Sequence, residues 1–300
     1  MTLWIPFTLA AASFQTVRFM LQKVLSMGQL SAAGATFSRF VYSAPLIAAG
    51  LWGYVLVTGQ GIPALSPAFF LYATLGGLAQ ILATVCVVLL FQTRNFAVGI
   101  TFKKTEVILS VLVGLVVLGE GVSLAGLGAI LLGVVGVLLL SKTPGIEGRW
   151  WQDLASRAVA LGVASGLLFA ISAVTYRGAT LQLAADDPIL RAGVTLAIVV
   201  CWQTLIMALW LGVKDPAQIG AVWRNRRVAI WVGLTSMGGS FCWFVAFALQ
   251  TAAYVKALGQ VELVLSLLAS VLFFKETITA REIAGVLLLV ASILALILVI

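Results

Sequence analysis

The sequence predicts an all-α polytopic membrane protein, with ten transmembrane helices arranged as two inverted five-helix repeats. Three observations lead to this prediction. Of the 300 residues, 62% are hydrophobic and only 9% are charged, whereas soluble domains carry about 25% charged residues. Long apolar runs follow one another through short polar connections, and a bilayer core needs roughly 20 apolar residues per helix. Residues of the first half also recur in order about 156 positions later, as Leu109 and Leu265 do.

The apolar runs and the breakers between them place the individual helices. Gly59, Gly61 and Pro63 separate the second and third runs, and Pro188 opens the seventh. A polar stretch, 141–157, divides the chain into an N-terminal five-helix repeat, 1–145, and a C-terminal one, 146–300. The predicted spans are 3–24, 32–57, 67–91, 96–118, 123–140, 156–178, 189–212, 228–250, 254–274 and 279–299.

The repeat is visible as an ordered succession of matches. In the first span of each half the match slips slightly, so that Arg18 corresponds to Arg177. An odd number of spans per repeat inserts the second half upside down, which predicts a site near the midplane where the repeats meet. Matches at the common offset are Gly77 with Gly233, Thr84 with Ser240, Cys86 with Cys242, Phe91 with Phe247, Glu106 with Glu262, Ser110 with Ser266, and Glu120 with Glu276.

Charges inside the fourth and ninth spans are the strongest functional signal. Lys103 and Glu106 lie in the fourth, and Lys256, Gln260 and Glu262 lie at the corresponding place in the ninth. Each charge near the bilayer centre costs about 2.5–3.5 kcal/mol on insertion scales. We therefore expect these side chains, together with Lys104, to face protein or a water-filled cavity and to bind a substrate or a coupling ion.

A structural interpretation of the same charges stays open. Lys103 and Glu106 are three residues apart and can form a permanent ion pair on one helix face. Lys256 and Glu262 are six apart, which is too far for pairing on a regular helix. Arg39 is expected to be buried, either bracing helices or binding substrate. Arg18 is either one of the cavity cations or extends to the membrane interface, whereas Lys23 is expected to extend to the interface.

Polar and aromatic side chains of other spans are further candidates for the cavity. Gln80 with Thr84, and Ser236 with Ser240, have the spacing that shares one helix face. Helix–helix hydrogen bonding is the alternative role for these pairs. Tyr176 lies on a stripe of the sixth span with Ser165, Phe169 and Ser172, and Trp243 lies close to Ser240 along the chain.

Small residues within spans indicate bending or close packing. The hinge candidates are Gly76, Gly77, Gly238 and Gly239. In the fifth span Ala125, Ala129 and Gly133 are four apart and favour close approach of a second helix. Packing within the same chain is favoured over dimerisation, so we expect a monomer while leaving a dimer open.

The composition argues against enzymatic activity and nucleic-acid binding. The chain has no histidine, and its three cysteines lie in apolar runs without metal-ligand spacing. It also lacks a phosphate-binding loop of the GxxxxGK[ST] type. We therefore expect no cofactor and no metal. The net charge of +8 is accounted for largely by loops that determine topology and contact lipid.

Basic loop residues predict the orientation, because cytoplasmic loops carry an excess of lysine and arginine. Only Arg177 and Arg191 fall near the side that holds both termini, so both termini are predicted to lie outside a cell (inner) membrane. The residues on the other, cytoplasmic side are Lys23, Arg94, Lys142, Arg149, Arg157, Lys214, Arg224, Arg226, Arg227, Lys275 and Arg281.

These features together resemble the EamA-type branch of the drug/metabolite transporter superfamily. The resemblance covers the whole chain and depends on the two five-span repeats and on the segments ILSVLVGLVVLGE and VLSLLASVLFFKE. Gly119-Glu120 and Lys275-Glu276 lie where the family commonly has Gly-Glu, and Arg39 also fits. Neither half has the proline that members often carry near Glu106 and Glu262.

The resemblance implies a secondary transporter that exports a small amphipathic metabolite by alternating access through a central cavity. Exporters of the YddG type, which carry aromatic and other neutral amino acids, are the nearest functional analogy. An organic-anion or sugar-conjugate carrier is the alternative, favoured by the excess of buried cations. A non-transporting membrane scaffold is the alternative from another class.

Overall fold

The computed structural model describes residues 3–26, 28, 30–91, 102–140, 157–274 and 279–299. Every regular element in these ranges is a helix. The start of the predicted fourth span, the 141–156 stretch and Lys275-Glu276 lie outside the described residues. The helices are α1 (Trp4–Ser26), α2 (Ala32–Val41), α3 (Ser43–Thr58), α4 (Pro67–Phe91), α5 (Glu106–Leu118), α6 (Leu124–Leu140), α7 (Arg157–Leu181), α8 (Pro188–Lys214), α9 (Pro216–Arg224), α10 (Arg226–Leu249), α11 (Ala252–Leu258), α12 (Val261–Phe274) and α13 (Ala280–Val299).

Helices fall within each range that the apolar runs predicted. Within the described ranges, six segments are long and apolar enough to cross a membrane by themselves: Ala32–Thr58, α4, α7, α8, α10 and α13. The helices α5 and α6 are apolar but shorter. Large apolar side chains point outward along the bundle, as at Val116 and Leu298, which are 84% and 86% exposed. An apolar outer surface is what contact with lipid chains requires.

The second predicted span is divided into α2 and α3 at Tyr42. Pro45 lies in the first turn of α3 and has no N–H to donate to the preceding turn, which explains the break. The last residue of α3 is followed by Gly59 with a positive φ of 67°. Only glycine adopts this left-handed conformation without a steric penalty.

The most extensive helix contacts join the two halves of the chain. Helix α4 packs along α7, α10 packs along α1, and α6 packs along α13. In addition, α5 contacts α7, and α12 contacts α1. The first two pairs are repeat counterparts, because α4 corresponds to α10 and α7 corresponds to α1 in the sequence alignment of the halves.

The contact between α6 and α13 depends on glycine. A Cβ atom built on Gly136 would lie 2.9 Å from both the carbonyl oxygen of Gly285 and the amide nitrogen of Leu289. The hydroxyl of Ser292 donates a 2.6 Å hydrogen bond to the carbonyl of Ala129 in the same interface. Ala129, Gly133 and Gly136 therefore face a helix of the same chain, whereas Ala125 is exposed.

Replacing Gly136 with valine is expected to lower the thermal unfolding temperature of the purified protein. The added atoms would collide with backbone rather than with a movable side chain, and overpacking of this kind costs about 1–3 kcal/mol. Gly128→Val on the same helix is the matched control, because nothing lies within 4 Å of its built Cβ. Equal unfolding temperatures for the two variants would show that the α6–α13 contact is not this tight.

Candidate functional site

Two matched helix breaks place the buried charges. Before α5 the backbone makes a turn in which the amide of Val107 donates to the carbonyl of Lys104, at 3.5 Å. Between α11 and α12 the amide of Leu263 donates to the carbonyl of Gln260, at 3.0 Å. These two bonds connect positions that correspond in the repeat alignment. Each break releases the helix from its regular register, although neither contains proline.

The ionised side chains at these breaks pair across the halves. Lys104 contacts the carboxylate of Glu262. The ammonium of Lys256 lies 3.9 Å from Oε1 of Glu106, and that of Lys103 lies 3.6 Å from Oε2 of the same carboxylate. All five side chains are buried, with no residue more than 8% exposed. The expected Lys103–Glu106 pair is therefore present, whereas the ninth-span lysine contacts the carboxylate of the other half.

Gln15 of α1 connects the carboxylate of Glu262 to the indole ring of Trp243. The side-chain amide of Gln15 donates a 2.6 Å hydrogen bond to Glu262 and accepts a 3.2 Å bond from the indole N–H of Trp243. The ammonium of Lys256 lies 4.8 Å from the Trp243 ring centroid and 5.7 Å from that of Phe169. Cations at such distances are attracted by the ring quadrupole. Trp243 and Phe169 thus contact, through Lys256, the group of ionised side chains that we call the charged cluster: Lys103, Lys104, Glu106, Lys256 and Glu262.

Arg39 joins the hydroxyl groups of α4 and α10. Its guanidinium donates to Ser236 at 2.7 Å, to Thr84 at 3.0 Å and to Ser240 at 3.2 Å. Thr84 and Ser240 are repeat counterparts, and both of them contact this one side chain. Because its nitrogens are held by three hydroxyls, this geometry favours a bracing role for Arg39 over direct substrate binding.

Substituting Arg39 with lysine is expected to destabilise the protein while keeping its charge. A lysine ammonium cannot reproduce the planar fork that reaches three hydroxyls, and each lost bond to a charged group is worth about 1.5–3 kcal/mol. The measurement is thermal unfolding in detergent. Thr235→Ser on α10 is the control, since its hydroxyl bonds only within its own helix. An unfolding temperature for Arg39→Lys equal to that of the parent would contradict the bracing role.

The remaining candidates form a second polar group next to Arg39. The side-chain oxygen of Gln80 accepts from the Tyr176 hydroxyl at 3.1 Å and from the Gln203 amide at 3.0 Å. Gln203, which the sequence did not single out, also donates to the carbonyl of Gly77.

Gln260 is buried, and its side-chain oxygen has no hydrogen-bond partner among the described residues.

The proposed hinge glycines lie at close helix contacts. A Cβ on Gly76 would lie 2.6–2.7 Å from atoms of Thr175 and Tyr176, and one on Gly238 would lie 3.0 Å from the Phe14 ring. Gly239 is nearly as tight, with its nearest atom at 3.1 Å, whereas Gly77 has more room, with its nearest atom at 3.5 Å. Helices α4 and α10 continue through these positions. The geometry therefore accounts for Gly76, Gly238 and Gly239 through packing, and bending at any of the four remains a prediction.

Two cavities adjoin the ion pairs. The larger, which we call the vestibule, has a volume of about 180 Å³ and is lined by Phe19, Lys23, Phe91, Lys103, Lys104 and Glu262 among others. The smaller, which we call the inner chamber, has a volume of about 20 Å³ and is lined by Arg18, Arg39, Gln80, Tyr176, Trp243 and Lys256 among others. A volume of 20 Å³ holds about one water molecule. Residues of the ion pairs thus line both a larger cavity and a much smaller one.

Arg18 takes the buried one of the two positions that the sequence allowed. It does not extend to the interface but is only 3% exposed, with its guanidinium 4.4 Å from the ring centroid of Phe19. Lys23, by contrast, is exposed near the end of α1 and lines the vestibule. Gln15 and Arg18 are polar residues on one face of an apolar run, and this pattern could have identified both as candidates for the site. It does not indicate which residues they contact.

A bifurcated ion pair lies at the far ends of α5 and α7. The Nε of Arg177 donates to both oxygens of Glu120, at 2.7 and 2.8 Å, and its Nη1 donates to the carbonyls of Phe247 and Gln250, both at 2.7 Å. We call this arrangement the seal. It ties the end of α7 to the ends of α5 and α10. The sequence predicts Arg177 near the side of both termini but does not indicate its contact with Glu120.

Comparison with known proteins identifies related sequences and structures. The model of the EamA-like transporter family matches residues 156–298, the C-terminal half. A crystal structure superposes with a TM-score of 0.73 over 98% of this chain and 96% of that one, at 14% sequence identity. This likeness concerns the fold alone. A comparison with curated proteins found no match. The apolar helices and the family match together indicate a multi-pass membrane protein.

Proposed function

We propose that the protein is a secondary transporter, and the match to the EamA-like transporter family supports this over a scaffold or an enzyme. Its action is alternating access through a central midplane cavity. The observation that carries the proposal is the crosswise pairing of Lys104 with Glu262 and of Lys256 with Glu106 at matched helix breaks. Discontinuous helices at a repeat interface are where transporters bind substrates and ions.

The proposed architecture is ten spans in two inverted repeats, 1–145 and 146–300. Support comes from the helix contacts, because α4 on α7 and α10 on α1 are exchanged by the repeat. Further support comes from the corresponding backbone bonds at Val107 and Leu263. In this topology the vestibule opens toward the cytoplasm and the seal closes the side of both termini. The conformation then corresponds to a cytoplasm-facing state.

The proposed cargo is a small amphipathic metabolite, above all a neutral or aromatic amino acid, moved out of the cell. Carboxylates and ammonium groups of the cluster match a zwitterion, and the rings of Phe169 and Trp243 suit an apolar side chain. The alternative cargo is an organic anion or a sugar conjugate. It is favoured by the inner chamber, which Arg18, Arg39 and Lys256 line.

The setting proposed for this activity is the cell (inner) membrane, with both termini outside. The protein would work as a monomer, a dimer being the alternative, and would need only its small-molecule substrate and the bilayer. Cofactors, metals and nucleic acid have no role in the proposed transport cycle.

Counterflow in proteoliposomes tests the proposal. Vesicles loaded with one unlabelled compound are diluted into its labelled form, over a panel of neutral amino acids, organic anions and cationic dyes. Saturable accumulation of amino acids supports the leading cargo, and accumulation of anions alone supports the alternative. Absence of accumulation for every class, from protein that is folded and inserted, would contradict a transport function.

A further inference from the structure

We propose that Arg18 binds the anionic carboxylate of the cargo at the wall of the inner chamber. This deepens the transport function proposed above and rests on it for the identity of the ligand as cargo. Neither the family match nor the matching crystal structure assigns a role to this residue.

The first step is an account of charge in the chamber. Among the described residues that line it, three are cationic (Arg18, Arg39 and Lys256) and none is a carboxylate. Lys256 lies beside Glu106, and Arg39 is held by three hydroxyls. Arg18 has neither kind of partner in the described part of the chain. A buried charge without compensation is unfavourable, so the chamber favours entry of a negative group.

The second step concerns the atoms of Arg18 itself. Its Nη1 is fully buried and has no hydrogen-bond partner among the described residues. Its guanidinium lies over the ring of Phe19, which fixes the plane of the fork. Buried polar atoms are nearly always bonded, and an exception calls for a missing partner. A guanidinium accepts a carboxylate through two parallel N–H···O bonds, so a carboxylate is the partner that fits this group.

The third step is the surroundings that would receive the rest of the ligand. Phe169 and Trp243 line the same chamber, and the Trp243 indole is held by Gln15. A carboxylate at Arg18 would place an attached ring or alkyl group beside these aromatic faces. The vestibule supplies space on the other side of the cluster, where Phe19 forms part of its wall. An aryl-alkyl carboxylate therefore matches the site.

Thermal unfolding of the full-length protein in detergent tests this assignment without requiring flux. The probes are 3-phenylpropionate and its uncharged isostere 3-phenylpropionamide. We expect saturable stabilisation by the carboxylate and none by the amide, because ligands that bind only the folded state stabilise it by mass action. Stabilisation by neither probe, or equally by both, would overturn the carboxylate site.

The variants locate the effect on Arg18. In Arg18→Gln the apparent dissociation constant for 3-phenylpropionate is expected to rise about ten- to a hundredfold, as for loss of bonds to a charged group. Arg18→Lys, which keeps the charge, should lie between this variant and the parent, and it replaces Arg18→Gln if the latter does not fold. Arg227→Gln is the matched control, because Arg227 is exposed. It removes the same charge outside the cavity and should leave binding unchanged.

The outcomes separate this inference from the transport proposal. Dissociation constants of Arg18→Gln and Arg18→Lys equal to that of the parent would overturn the role of Arg18. An equal loss in Arg227→Gln would also overturn it, by attributing the effect to overall charge. Arg18-dependent binding in a protein that shows no counterflow for any compound would instead contradict transport and leave the binding site standing.

Discussion

Replacing Glu262 with glutamine is expected to abolish substrate flux in proteoliposomes. The substitution leaves the ammonium of Lys104 buried without a carboxylate, and removal of one partner of a buried pair typically costs 3–5 kcal/mol. It also changes the group that accepts a hydrogen bond from the Gln15 amide. Because Gln15 in turn accepts a hydrogen bond from the Trp243 indole, the position of Trp243 is expected to change as well. Glu106→Gln is expected to have a similar effect, because two lysines share that carboxylate.

A double substitution separates loss of stability from loss of transport. Lys104→Met with Glu262→Gln removes the uncompensated charge, so unfolding temperature and membrane insertion are expected to recover. Flux should remain absent if the carboxylate contacts cargo or a coupling ion. Recovery of flux together with stability would reduce the pair to a structural role. Lys256→Met is the companion test for the second half, with loss of flux expected.

Glu282→Gln provides a matched control for these carboxylate changes. Glu282 is also buried, but it accepts hydrogen bonds from the backbone and hydroxyl of Thr279 at the start of α13. Its replacement is expected to lower stability modestly and to leave flux per folded molecule unchanged. Normal flux in Glu106→Gln, Glu262→Gln and Lys256→Met would remove these three residues from the mechanism.

Substituting Arg177 with glutamine is expected to admit solvent to the inner chamber from the side of the seal. Arg177 makes four hydrogen bonds there, two of them to Glu120, and no other described side chain contacts that carboxylate. The glutamine amide would replace a charged, bifurcated contact by weaker neutral hydrogen bonds. The equilibrium between the two access states should shift by about tenfold or more.

Thiol labelling measures this change. A single cysteine at Ser172, which lines the inner chamber, is introduced after replacement of Cys86, Cys201 and Cys242. Its rate of reaction with an impermeant reagent, added from the side of the seal, should rise about tenfold in Arg177→Gln.

Arg191→Gln is the control for the labelling experiment. Arg191 lies at the start of α8, and its guanidinium makes one long hydrogen bond of 3.4 Å, to the carbonyl of Ala248. Its removal should leave the labelling rate unchanged. If Arg177→Gln labels no faster than this control, the ion pair with Glu120 does not close that side.

Helix positions follow from the sequence because hydropathy reports burial in lipid directly. The predicted 67–91 span coincides with α4, and the other predicted limits that fall in the described part of the chain lie within a few residues of a helix end. The short helix α9 lies between two predicted spans. The break at Tyr42 could have been predicted from Pro45. The break between Lys104 and Glu106 could not, since no glycine or proline marks it.

Partners of the charged residues were beyond the sequence. The spacing of three indicates that Lys103 and Glu106 can pair with each other, and that contact exists. Lys104 was not given a partner, because the carboxylate it contacts is 158 positions away. The packing of α11 against α5 and of α12 against α1 brings these groups together. The position of Arg18 stays open in the sequence for a similar reason: distance from a helix end does not reveal what the neighbouring helices cover.

Because Lys104 pairs with Glu262 and Lys256 pairs with Glu106, each half of the chain supplies a carboxylate that neutralises a buried lysine of the other half. A fragment ending within the 141–156 connection would carry Lys104 into lipid with its counter-ion left on another molecule, and the complementary fragment would do the same with Lys256. The four paired positions are Lys104, Glu106, Lys256 and Glu262. A substitution that changes the charge at one of them in one half therefore requires a compensating substitution in the other half.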